Sequence, residues 1–97
     1  MTPEGKTKAM VTAILRDAQV YWFMPPGVGY GRAGIPDFIC CANGHFLAIE
    51  CKAGRGKTTA LQDRELQRIR DAGGTTLVVY DKVEDYRELQ RILQIIR

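Results

Sequence analysis

In the stretch PDFICCANGHFLAIECK, positions 36–52, charged groups stand at the ends of otherwise apolar segments. Asp37 opens the first segment, and Glu50 and Lys52 close the second. Ionised side chains in apolar strands are costly unless they are paired or bind a metal. Two carboxylates with open positions for water and phosphate suit Mg²⁺ or Mn²⁺, which prefer hard oxygen ligands. The backbone carbonyl of Cys51 can add a further oxygen. Lys52 would neutralise such a site and reach a phosphate oxygen or an attacking water. The plainer alternative is a junction-capping Asp37 and a surface ion pair between Glu50 and Lys52.

A β-hairpin decides whether these groups meet. Asn43-Gly44 between alternating apolar runs is a strong hairpin signal. With those two residues as the loop, Asp37 to Ala42 and His45 to Lys52 form the hairpin. Phe38 then meets Ile49 and Asp37 meets Glu50, with Cβ atoms roughly 5 Å apart. Alternation adds Lys52 to the same face and turns Cys51 into the core. Like charges directly opposed destabilise a sheet, which makes a cation between them the sensible reading.

The surrounding elements follow from spacing. Residues 2–18 read as a helix, with Thr2 as N-cap, Pro3 first, and Met10, Val11, Ile14, Leu15 and Ala18 at helical intervals. Val20 to Met24 reads as a short aromatic strand that Pro25 and Pro26 end. PPGVGYGRAGIP then forms a loop. After AGRGKTT, Thr59-x-x-Gln62 resembles a capping box opening a helix through Leu61, Leu66 and Ile69, which Gly73-Gly74 closes. TTLVVY is a strand, and Val83 to Ile96 an amphipathic helix. The expected order is α-β-β-β-α-β-α, a small α/β domain over residues 1–97 with helices packed on a central sheet.

Composition narrows the partners. The 97 residues carry 45% hydrophobic and 26% charged side chains, as in a folded domain, and a formal net charge of +3. That charge is compatible with a polyanion without requiring one. Three cysteines without C-x-x-C spacing, and a single histidine, speak against zinc and against a disulfide framework. Reduced thiols point to a cytoplasmic protein, and neither a secretion signal nor a membrane-spanning run is visible.

Other residues converge on the hairpin end. Glu4 falls on the apolar side of the first helix, either as an outer participant in the metal site or as a first-turn acid favoured by the helix dipole. Gln62 also faces inward, although its capping role alone accounts for it. Arg32 precedes Asp37; Arg55 and Lys57 follow Lys52 among glycines that let backbone N–H groups approach an anion. Tyr30 and Trp22 offer stacking surfaces. Basic loops on both sides of two carboxylates match a phosphodiester better than a neutral substrate. His45 sits at the far, turn end of the hairpin.

Two motifs compete. GYGRAG fits G-x-G-x-x-G but runs into a strand, where the dinucleotide fingerprint needs a helix. CKAGRGKT sits between strand and helix as a P-loop does, which would make the chain a nucleotide binder using Lys57. Position 51 is nevertheless Cys where that motif has Gly, and Asp37 and Glu50 stay unexplained.

Gly34-Ile35-Pro36-Asp37 followed by Glu50-Cys51-Lys52 resembles the PD-(D/E)xK nuclease signature. With Glu4, the short hairpin, the glycine-basic loop, Thr59-x-x-Gln62 and TTLVVYD, nearly the whole chain looks like the minimal stand-alone form of the VRR-NUC family (virus-type replication-repair nuclease). The resemblance implies a restriction-endonuclease-like fold and Mg²⁺- or Mn²⁺-dependent phosphodiester hydrolysis. It makes Asp37 and Glu50 metal ligands and Lys52 the catalytic lysine, and it matches Glu4 and Gln62 to the family's helical acid and glutamine. It further implies a homodimer acting on branched DNA, a four-way junction or flap, in a bacterial or phage-infected cell. A non-catalytic nucleic-acid-binding module on the same fold is the competing expectation.

Overall fold

The first helix begins as its cap residues require. Thr2 Oγ1 accepts the Gly5 N–H at 3.0 Å, Pro3 occupies the first turn, and α1 runs Pro3–Asp17. In the computed structural model, which describes residues 1–26 and 33–96, six elements follow. They are β1 (Tyr21–Phe23), β2 (Phe38–Ala42), β3 (His45–Cys51), α2 (Ala60–Asp71), β4 (Thr75–Val79) and α3 (Val83–Ile95). The order is the expected α-β-β-β-α-β-α.

One four-stranded mixed sheet has the spatial order β1-β2-β3-β4. β1 and β2 are antiparallel, as are β2 and β3, whereas β3 and β4 are parallel. A parallel pair needs a crossover, which α2 supplies between the two strands. At the β2–β3 turn Asn43 (φ 49°) and Gly44 (φ 82°) both take the left-handed conformation of a type I′ turn. The register is the expected one, with Ala42 opposite His45 and Phe38 opposite Ile49.

Pleat alternation then divides the sheet into two faces. Phe38, Cys40, Leu47, Ile49, Cys51 and Val79 bury one face against Val11, Ile14 and Leu15 of α1 and Leu89 and Leu93 of α3. α2 covers part of the other, with Ile69 and Phe46 both closing on Gly74. Its capping box is complete: Thr59 Oγ1 accepts the Gln62 N–H and Gln62 Oε1 accepts the Thr59 N–H. Leu66 is buried but Leu61 is exposed, and on α1 Met10 is exposed despite its helical spacing. On α3, Leu93 joins the core, Ile92 and Ile96 pack against it, and Ile95 stays exposed. Among the described residues no helix is long and apolar enough to cross a membrane.

Candidate active site

The end of the β2–β3 ladder builds the site. Beyond Phe38–Ile49 the register would set Cys51 opposite Pro36, which has no N–H to offer. Asp37 fills the gap: its Oδ2 accepts the Cys51 N–H at 2.8 Å. In an extended strand a residue's N–H and C=O leave by the same edge. The Cys51 carbonyl therefore faces the Asp37 side, where Pro36 cannot donate to it. The Cys51 thiol lies on the core face, and burial first, then the charges of Asp37 and Glu50, raise its pKa. Only the backbone of Cys51 is thus available to a cation.

Glu50 points to the opposite face from Cys51, on the side of Asp37. It is 2% exposed, and among the described residues its Oε2 has no hydrogen-bond partner. Burial pushes its carboxyl up to about 9; a hydrogen bond with Asp37 and the charge of Asp37 add to the rise. Lys52 opposes that shift and Glu4 adds to it. The Glu50 carboxyl is therefore held towards its protonated form, as burial beside a second acid requires. This arrangement excludes the surface ion-pair alternative, because Lys52 is itself only 8% exposed.

The backbone of Lys52 is held from two sides. Its N–H donates to the Val79 carbonyl of β4 at 2.9 Å, and its carbonyl accepts the Thr7 hydroxyl of α1 at 3.0 Å. Thr7 is fully buried. A strand, a parallel neighbour and a helix from the opposite face thus fix where Lys52 leaves the sheet.

The remaining candidates divide. Glu4 is half-buried on α1, close enough for its charge to act on Glu50 and Cys51. Gln62 is half-buried and its side-chain oxygen is engaged in the cap. Arg55 and Lys57 are exposed on the loop after Lys52. Tyr30 and Arg32 lie outside the described residues. Trp22 is not a free stacking surface: it packs on Phe38 at 5.7 Å between centroids, with the Arg16 guanidinium over its ring at 6.0 Å. Strand alternation instead presents Tyr21 and Phe23, both exposed, on the carboxylate face.

Two contributions were not foreseen. Lys8 Nζ lies 3.6 Å from Asp37 Oδ1. Lys8 sits four residues after Glu4, and that helical interval was the signal available in the sequence. Gly34, at φ +84°, brings the loop before Asp37 onto the first turn of α2; a Cβ there would meet the Leu61 carbonyl oxygen at 2.5 Å. The P-loop alternative loses its basis in the same region. Of the N–H groups a phosphate would need there, that of Gly56 donates to the Ala53 carbonyl and that of Thr59 to Gln62 Oε1.

Chemically, this donor set fits a small hard cation. Among the described residues no three His, Cys, Asp or Glu side chains gather as a metal cluster. Two carboxylates are nonetheless what Mg²⁺ commonly takes from protein, with water and substrate phosphate completing its shell. Glu50 Oε2, without a hydrogen-bond partner among the described residues, and the Cys51 carbonyl on the Asp37 side are the oxygens that would meet such an ion.

Solved structures share the architecture. One described as "VRR_NUC domain" superposes with a TM-score of 0.75 at 22% identity, covering 94% of this chain and 97% of its own. A second, "VRR_NUC domain protein", gives 0.63 at 19% identity, with 91% and 84% covered. No protein-family model matches the chain, nor does any curated protein.

Proposed function

From a chain with the VRR-NUC fold, we propose a divalent-metal-dependent DNA endonuclease that hydrolyses phosphodiester bonds with Asp37, Glu50 and Lys52. The observation that carries this reading is Glu50. A carboxyl 2% exposed, with one oxygen lacking a partner among the described residues and Asp37 opposed to it, has no structural purpose that a glutamine or leucine would not serve better.

Asp37, Glu50 and the Cys51 carbonyl would hold Mg²⁺ or Mn²⁺. When bound, such an ion acidifies the attacking water and offsets charge on the phosphoryl oxygens. Asp37 is kept in place by the Cys51 N–H. Lys52, beside two carboxylates, would stabilise charge building on the phosphate rather than act as a base. Glu4 adds negative charge behind the pair. Gln62 holds the first turn of α2 against the Gly34 loop, beside Asp37 in the chain. Arg55 and Lys57, with Tyr30 and Arg32 from the segment before Asp37 in the sequence, would meet the DNA backbone and bases.

The preferred substrate in this reading is branched DNA, a four-way junction or flap. Symmetric cutting of a junction requires two sites about a twofold axis, hence a homodimer.

The test is cleavage of labelled duplex, flap, splayed and four-way DNA with Mg²⁺ or Mn²⁺, beside Asp37→Asn. Metal-dependent cutting is expected, reduced about a hundredfold or more in the variant. Binding without cutting under every metal condition would instead identify a nucleic-acid-binding module.

A further inference from the structure

Asp37 presents its two oxygens to different partners. Oδ2 takes the Cys51 N–H at 2.8 Å, while Oδ1 faces the Lys8 ammonium at 3.6 Å. The oxygen free of the backbone, the one best placed to ligate a cation, is therefore the one a lysine from another element already attends. Lys8 is not buried in this role: its side chain is 36% exposed against 19% for Asp37. Its stem rises from the rigid middle of α1, one residue beyond Thr7, whose hydroxyl anchors α1 to the Lys52 carbonyl. The helix thus delivers a partly exposed charge to a fixed place.

We propose that Lys8 is a counter-cation built into α1, occupying the outer oxygen of Asp37 until a divalent ion displaces it, and so setting the metal affinity of the site. This inference rests on the metal-binding reading above. An ammonium and a divalent ion cannot both approach one carboxylate oxygen closely. Like charges a few ångströms apart repel strongly at the dielectric of a protein surface. A long, half-exposed lysine can swing into water at small cost, so the competition is reversible. Lys8 acts through Asp37 and needs no contact with substrate, which makes it a positioning residue rather than a catalytic one.

Mn²⁺ binding to the full chain, without DNA, reads this directly through the paramagnetic resonance signal of the free ion. Wild type, Lys8→Met, Lys8→Arg and Asp37→Asn are compared, with circular dichroism to show that each is folded. Lys8→Met is expected to bind Mn²⁺ about tenfold more tightly than wild type at low salt. The gap should narrow as ionic strength rises, because the pair is solvent-accessible. Lys8→Arg, which keeps the charge, should stay near wild type. A lysine that merely supported the fold would not raise affinity on removal. Equal or weaker binding by Lys8→Met, beside Asp37-dependent binding in wild type, overturns the inference and leaves the nuclease reading intact. Mn²⁺ binding absent from wild type and Lys8→Met alike overturns the inference, while the nuclease reading is decided by the cleavage assay.

Discussion

Glu50 concentrates the chemistry of this chain into one side chain, and its pH signature follows from its setting. The ordinary carboxyl value is 4.5, and in the fold it rises to about 9. The folded state therefore holds a proton that the unfolded chain releases between those values. That contribution is fully present below about 4.5 and is lost as pH rises through 9. Glu50→Gln, which keeps the shape without the ionisation, should match wild type in metal-free urea denaturation near pH 4. It should then gain on wild type by at most about 1.4 kcal/mol per pH unit above that. A wild type whose stability relative to Glu50→Gln does not change between pH 5 and 8.5 would contradict this account of the pair. The residue types themselves were legible: two acids and a lysine at strand ends are chemically conspicuous. That Asp37 bonds the Cys51 N–H was not, because it depends on Pro36 leaving the ladder incomplete.

At the scale of elements, the hairpin was readable because Asn43-Gly44 admits few other conformations. Its two left-handed residues settle the register, and the register settles which side chains oppose each other. The capping box was readable for a similar reason, since its hydrogen bonds span only four residues. The contact between Gly34 and α2 was not, because it joins two loops' ends across the site. Gly34→Ala tests it. The added Cβ would sit 2.5 Å from the Leu61 carbonyl oxygen and 2.8 Å from the Gln62 nitrogen, at a φ of +84°. Both are backbone atoms, so the loop or the helix must move. A destabilisation of about 2 kcal/mol or more by urea denaturation is expected. Unchanged stability would mean that this packing is not maintained in solution.

Over the whole molecule, the sheet sends its charges and its core to opposite faces. α1 and α3 cover the apolar side, and α1 also reaches around the end of β3, through Thr7 to Lys52 and through Lys8 to Asp37. The last helix bears on assembly. Ile92, Leu93 and Ile96 serve the core, leaving Ile95 and, at its start, Val83 as its exposed apolar side chains. The proposed homodimer therefore draws little support from α3. Sedimentation at high protein concentration, with and without four-way DNA, should show a dimer if junctions are cut symmetrically. A monomer under both conditions would remove the junction-resolving reading and leave the nuclease one.

What the chain's sequence determined by itself is whatever short-range physics controls. Caps, the Asn-Gly turn, strand alternation and the resulting encounter of Asp37 with Glu50 all follow from residues close together in the chain. The tertiary structure alone decided how deeply that encounter is buried, and burial turns a pair of surface acids into a site with a raised Glu50 carboxyl and, among the described residues, an oxygen without a partner. It alone also decided that Trp22 faces the core and that Lys8 reaches Asp37. These depend on how α1 lies across the sheet, and helix-on-sheet packing is set by the shape of the whole core rather than by any local run of residues.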